Sequence, residues 1–160
     1  MKHVYLDASA LVKRDRQEPG SDVLNATVER VASDNPRQLV VSSLSIIETL
    51  SILNRRRHEV GIPIEAFRSA LRGVLEELGT FSHALLIDDH LLLTSARYAM
   101  EHNIHSADAI HLAILLALQA TTVASGDELL CLAADQRLIR AARAEGLTVI
   151  NPEADEPPIL

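Results

Sequence analysis

Short apolar runs alternate with segments of helical periodicity along nearly the whole chain, and no other feature of the sequence constrains the fold as much. Residues 2–6 (KHVYL) form an apolar run ending at Asp7, with a turn carried by Asp7, Ala8 and Ser9. From about Ser21, the residues Val23, Leu24, Thr27, Val28 and Val31 share one helical face. Residues 38–41 (QLVV) read as a second strand, after which Ser42 or Ser43 caps a helix reaching about Arg57. Pro63 suits the first turn of the next helix, and Gly79 ends it after Leu78. Residues 83–87 (HALLI) read as a third strand, followed by a helix over residues 89–101. Ser106 is placed to cap a helix over residues 107–119. Residues 129–133 (LLCLA) are apolar without a break, as in a strand buried on both faces. Residues 136–144 read as a helix ended by Gly146, and residues 147–150 (LTVI) as a last strand. Residues 121–127 fit either a strand and turn or a surface loop. Strands alternating with helices argue for an α/β fold with a parallel sheet.

The chain has 160 residues, the length of one domain. Residues 1–150 carry the alternation, while residues 151–160, rich in proline and acids, read as a loose tail. Aromatic residues are only 2 % of the chain, so the core must be built from Leu, Ile, Val and Ala. Cys131 is the single cysteine, which excludes an intrachain disulfide and fits a reducing cytoplasm. The opening MKHVYLDASA has no apolar stretch of signal-peptide length, and no run reaches the roughly 18 apolar residues of a membrane span. A cytoplasmic location without membrane attachment is expected. With 22 acids against 15 basic residues the net charge is −7, so a nucleic-acid binder of this composition needs local basic groups, bound cations, or both.

In an open α/β sheet, ligands bind beyond the carboxyl ends of the strands. Asp7 ends the first predicted strand and Asp135 follows the fourth. Glu48 lies early in the helix after the second strand, and Asp108 in the first turn of its helix. If the strand assignments hold, all four face one rim. Crowded carboxylates repel one another, and a divalent cation relieves that repulsion. Such a site supplies an activated water and stabilises the charge of a phosphodiester under attack. Each residue also has a plainer reading. Asp7 and Asp135 suit turns or helix caps, and Asp108 complements a helix dipole. Glu48 is harder to dismiss, because it sits among Ile46, Ile47, Leu50 and Ile52.

Other constellations carry less. His102, His105 and His111 lack a zinc-ligand spacing. His111 falls one turn after Asp108 and can touch the site, although a buried, hydrogen-bonded role weighs more. Arg55, Arg56, Arg57 and His58 form the one basic run, suited either to a helix C-terminus or to phosphates. Lys13, Arg14 and Arg16 lie near Asp7 in sequence.

The segments YLDASALVKR with EPGS (Glu18 to Ser21), SSLSIIETL around Glu48, SADAIHLA (Ser106 to Ala113) and LAADQRLIRAARAEGLTVI together resemble the PIN-domain family. Within it, they resemble the VapC-like toxins of toxin–antitoxin pairs. The resemblance implies a three-layer α/β/α sandwich with a mainly parallel central sheet. It implies Mg²⁺- or Mn²⁺-dependent cleavage of RNA, with tRNA as one candidate substrate. It makes Asp7 and Asp108 the principal metal ligands and Glu48 the acid that holds or orients water at the metal. Asp135 becomes the outer carboxylate, with Ser9 as a hydroxyl beside Asp7; Arg14 is a supporting candidate from its place in the sequence and not from the resemblance. The family often carries Ser or Thr two residues before its last Asp. This chain has Ala133 there, so Asp127 stands as an alternative fourth carboxylate. The resemblance further implies a homodimer and a cognate antitoxin. A solitary PIN-type nuclease in RNA processing and a non-catalytic acidic-pocket module are the alternatives. A haloacid-dehalogenase-type phosphatase wants a second Asp where Ser9 stands. A phospho-receiver built on Asp88 wants a Lys in the C-terminal half, which has none.

Overall fold

The structure is a computed structural model, and it describes residues 1–14, 17–84 and 87–155. Its elements in chain order are β1 (Lys2–Leu6), α1 (Ala8–Leu11), α2 (Ser21–Asp34), β2 (Leu39–Val41), α3 (Ser43–Val60) and α4 (Ile64–Leu78). There follow β3 (Ser82–His83), α5 (Asp89–His102), α6 (Ser106–Ala124), β4 (Glu128–Leu132), α7 (Gln136–Ala144) and β5 (Thr148–Ile150). The strands form one sheet in the order β3-β2-β1-β4-β5, and every pairing is parallel. The expected α/β fold is therefore present, with helices on both faces.

Strand alternation divides the core. Val4 and Leu6 face Leu24, Val28 and Val31 of α2, whereas Tyr5 between them joins the opposite cluster with Leu112 and Leu115 of α6. Helix α6 is the one helix among the described residues long and apolar enough to cross a membrane by composition. Here Ala109, Leu112, Ile114 and Leu115 are buried in the core.

The chain runs from β1 outward to β2 and β3, then returns to place β4 on the other side of β1. The crevice above β1 and β4 is thus the switch point where α/β proteins bind ligands. The two strands pair in register from Lys2↔Glu128 to Leu6↔Leu132, so their carboxyl ends are level. The Asp7 backbone N–H donates to the Leu132 carbonyl at 3.1 Å, which extends the ladder to the rim.

Three local readings differ from the expectation. The third strand pairs only at Ser82–His83, with Leu85 and Leu86 outside the described residues. Residues 121–127 are neither strand nor open loop, because α6 continues to Ala124 before the chain turns at Gly126. The first part of the tail is docked. Asp155 accepts from the Asn151 backbone N–H at 2.6 Å, and the nearly buried Lys13 ammonium reaches Glu153 at 2.5 Å. A buried ammonium requires such a partner. Gly20 adopts φ 87° against this segment, where a Cβ would lie 2.8 Å from the Pro152 carbonyl carbon. Residues 156–160 lie outside the described residues.

Candidate functional site

The site begins where β1 stops. Asp7 leaves the strand with extended backbone and caps α1, its carboxylate accepting from the Ser9 backbone N–H at 3.0 Å and the Ser9 hydroxyl at 2.5 Å. Ser9 then reaches across the rim. Its Oγ accepts from the backbone N–H groups of Ala134 at 2.8 Å and Asp135 at 3.2 Å. One hydroxyl therefore ties the turn after β1 to the turn after β4. Ala133 itself is fully buried, and its backbone N–H donates to the Ile150 carbonyl.

Glu48 and His111 arrive from two helices. Ser42 caps α3, its Oγ accepting from the Ser45 backbone N–H at 3.0 Å, which aims the first turns of α3 at the rim. Glu48 follows two turns into the helix with its side chain half-buried. His111 Nε2 lies 2.8 Å from Glu48 Oε2 and 3.1 Å from Asp7 Oδ1. Its Nδ1 lies 2.7 Å from the Tyr5 hydroxyl, which in turn meets Ser42 Oγ at 2.9 Å and Ser45 Oγ at 3.2 Å. Asp7, His111 and Tyr5 are all buried. Potential ligand atoms of Asp7, Glu48 and His111 lie within 4.8 Å of one another.

Asp108 and Asp135 stand outside that close group of three, near enough for their charges to be felt. Burial holds the Asp108 carboxyl above the ordinary carboxylate range, and the charges of Asp135 and Asp7 push it further the same way. The His105 backbone and His111 act in the opposite sense. Burial disfavours a charged His111, but Asp7, Glu48 and Asp108 outweigh it and raise its pKa above the usual imidazole value. Asp135 also caps α7, accepting from Arg137 N–H at 2.8 Å and Leu138 N–H at 3.2 Å. Its cap reading and its place on the rim are thus compatible. The donor set suits a hard divalent cation: carboxylate oxygens of Asp7 and Glu48 converge beside the buried His111, with the charges of Asp108 and Asp135 felt nearby.

Several expectations need correction. Asp127 precedes β4 at the amino end of the sheet, level with Met1 and so six strand residues or about 20 Å from Asp7. There it pairs with the Met1 ammonium at 2.5 Å and His3 at 3.1 Å, so it is not a substitute for Asp135. Arg14 does not serve the acids. Its guanidinium pairs with Glu77 of α4 and donates to Asn25 at 3.2 Å. Arg16 lies outside the described residues. His102 pairs with Glu145 at 2.8 Å, apart from His111, which leaves the three histidines no common centre. Asp88 follows the edge strand β3 and caps α5 through the Leu91 N–H, so it has no place in a central receiver pocket. The serine and tyrosine hydroxyls behind His111 carry no sequence signal. The one hint was the position of His111, three residues after Asp108 and so beside it on the helix surface.

Residues 4–150 match the PIN domain. The chain belongs to the PIN-domain family. That family is a nuclease superfamily whose members are generally metal-dependent. Among solved structures, PAE2754 from Pyrobaculum aerophilum superposes with a TM-score of 0.60 at 21% identity, covering 93% of this chain and 92% of that one. FitAcB from Neisseria gonorrhoeae gives 0.57 at 17% identity, with 95% and 99% covered. FitAB bound to an IR36 DNA fragment gives 0.58 at 16% identity, with 96% and 97% covered. At these identities the likeness is one of fold. No curated protein matches the sequence.

Proposed function

We propose that this PIN domain is a metal-dependent endoribonuclease acting as the toxin of a toxin–antitoxin pair in the cytoplasm. The observation that carries the reading is the convergence of Asp7 and Glu48 at the switch point, beside an Asp108 whose carboxyl is pushed up by burial and by its acidic neighbours. Asp7 and Asp108 are the principal ligands for Mg²⁺ or Mn²⁺, with Glu48 and Asp135 in support. The bound cation would supply Lewis acidity and activate water for phosphodiester hydrolysis. Ser9 keeps Asp7 and the Asp135 turn at a fixed separation. Arg55 lies seven residues beyond Glu48 on α3, two turns along the same face and about 10 Å away. Its exposed guanidinium is suited to an RNA phosphate, which answers the shortage of basic charge.

Two surfaces support the partners. Between α3 and α4 runs an apolar groove lined by Leu53, Phe67, Leu71 and Val74, with Arg56 and Arg57 at its edge. It is suited to an amphipathic antitoxin helix. An antitoxin arginine fits the acidic rim, where a guanidinium binds carboxylates through paired hydrogen bonds. On α5, Leu93 and Met100 are 75% and 78% exposed, which favours a second copy of the chain as their cover.

The test is cleavage of total RNA and of folded tRNA by purified, partner-free protein. Activity should require Mg²⁺ or Mn²⁺ and disappear in EDTA. Cleavage that persists in excess chelator overturns the metal reading. Growth arrest on overproduction, relieved by co-producing the product of an adjacent gene, is expected of a toxin. Cleavage without arrest or partner assigns a solitary PIN-type nuclease instead, and metal binding without cleavage assigns an acidic-pocket module.

A further inference from the structure

We propose that His111 is the positioning residue of this site and not one of its metal ligands: a fixed N–H donor that sets the spacing of Asp7 and Glu48 for a hard cation. The inference rests on the metal reading above and adds to it which groups hold the ion.

The argument starts from the acceptors. Ionised carboxylates only accept hydrogen bonds. Nε2 of His111 faces two of them, Glu48 Oε2 at 2.8 Å and Asp7 Oδ1 at 3.1 Å. A lone pair at Nε2 would meet oxygen lone pairs on both sides, so Nε2 carries the hydrogen in either charge state of the ring. The other nitrogen is also committed. Nδ1 lies 2.7 Å from the Tyr5 hydroxyl, inside a closed group formed with Ser42 and Ser45. The hydroxyl protons of Tyr5, Ser42 and Ser45 are too few for all the contacts among these atoms. In the neutral ring Nδ1 accepts the Tyr5 proton, which leaves two serine protons for the three contacts among Tyr5, Ser42 and Ser45; in the charged ring Nδ1 donates to Tyr5 instead, and all four contacts are served. The ring is 1% exposed and held at both nitrogens, so its donor direction is fixed by packing as well as by hydrogen bonds.

The two acids depend on this donor unequally. Asp7 is gripped from both sides, at Oδ1 by His111 and at Oδ2 by Ser9. Glu48 has a half-buried side chain on a long stem, and His111 is its hydrogen-bond partner among the described residues. Without His111, Glu48 regains rotamer freedom that cation binding must then remove. To act as a ligand, the ring would have to give up the Nε2 hydrogen and both carboxylate contacts together. A donor role leaves an all-oxygen ligand set, which favours Mg²⁺ and Mn²⁺ over the softer ions that imidazole attracts.

Long-range ¹H–¹⁵N correlations of the imidazole rings, in ion-free and Mg²⁺-saturated protein, read the nitrogens directly. Mn²⁺ titration of wild-type, His111→Leu, His111→Gln and Tyr5→Phe protein reads the consequence without reference to cleavage. The Nε2 hydrogen should be present in both states. His111→Leu should weaken Mn²⁺ binding by about 10–100-fold, the usual cost of losing a group that orients a ligand. His111→Gln, which retains a donor N–H, should recover most of the loss. Tyr5→Phe should weaken binding in the same direction, and it keeps the test open where His111→Leu does not fold. Loss of the Nε2 hydrogen on Mg²⁺ addition overturns the proposal. So does unchanged affinity in both His111→Leu and Tyr5→Phe, or a His111→Gln variant as weak as His111→Leu. Wild-type protein that binds neither ion overturns the metal reading itself and this proposal with it.

Discussion

The two ends of the sheet hold the same residue type in opposite electrostatic states. At the amino end, the Met1 ammonium and His3 draw the Asp127 carboxyl below its ordinary range through hydrogen bonds and charge. At the carboxyl end, burial lifts Asp108, and Asp135 and Asp7 lift it further. One aspartate is paired with positive groups of its own chain, and the other is partly buried beside like charges. The contrast separates a structural ion pair from a binding site better than a count of carboxylates does. Under the proposed function a cation is expected to relieve repulsion at the carboxyl rim and to find none to relieve at the amino end.

The largest effect should come from removing charge at the rim. Asp7→Asn and Asp108→Asn should each reduce RNA cleavage more than about a hundredfold, beyond the loss typical of an orienting group. The double variant should lose little more than either single one, because groups acting as a unit are non-additive. Asp127→Asn should leave cleavage unchanged. The same set sharpens the comparison through stability. A cation at a hundred times its Kd stabilises by about 2.7 kcal/mol. At about 2–4 °C per kcal/mol for a chain this long, Mg²⁺ should raise the Tm of wild-type and Asp127→Asn protein by several degrees. Asp7→Asn should show no such rise. A full Mg²⁺ response in Asp7→Asn would remove Asp7 from the ligand set.

The sequence resolves one half of this contrast better than the other. Asp7 was legible because it ends an apolar run, and Glu48 because an acid among Ile46, Ile47 and Leu50 has no obvious solvent face. Asp127 and Asp135 bracket the same apolar run and look alike as letters. Only the parallel direction of β4 beside β1 sends one to the amino end and the other to the rim. Arg14 looked like a neighbour of Asp7, yet its partner Glu77 is 63 residues away on α4, a pairing that no local pattern announces. The hydroxyl group behind His111 was hidden for the same reason. Tyr5, Ser42, Ser45 and His111 come from β1, the start of α3 and α6, and only the packing of α6 on the Tyr5 face brings them together. Helix α1 is not legible in the sequence because a four-residue helix has no periodicity to read; its signal is the Asp7 cap itself.

A smaller effect is expected at Ser9, which joins the two halves of the rim. Ser9→Ala removes the acceptor for the backbone N–H groups of Ala134 and Asp135 and one donor to Asp7. Leaving such groups without a partner costs about 1–3 kcal/mol, so the denaturant midpoint should fall measurably. Mg²⁺ binding should weaken less than in Asp7→Asn, since every carboxylate remains. Stability and Mg²⁺ affinity both unchanged in Ser9→Ala would mean that the Asp135 turn is held without this hydroxyl.

The smallest effect tests the comparison most directly, because the two aspartates should bend the pH dependence of stability in opposite directions. For Asp127 the folded pKa lies below the unfolded one. The folded state then binds fewer protons than the unfolded state between the two values. Its contribution is present above about pH 3.9 and is lost as pH falls through the folded value. For Asp108 the folded pKa lies above the unfolded one. The folded state binds more protons in that window, so stability declines as pH rises through it and the penalty persists at neutral pH. In EDTA, Asp127→Asn should therefore lower the Tm at neutral pH and converge with wild type under strong acid. Asp108→Asn should raise the Tm at neutral pH and converge with wild type as the acid becomes protonated. Saturating Mg²⁺ should reverse the order of Asp108→Asn and wild type at neutral pH, since the repulsion that the substitution removes is what the cation would otherwise neutralise. Thermal melts of the three proteins across acid to neutral pH, with and without Mg²⁺, decide it. If Asp108→Asn is less stable than wild type in EDTA at neutral pH, the rim carries no uncompensated charge, and the distinction between the two ends of the sheet fails.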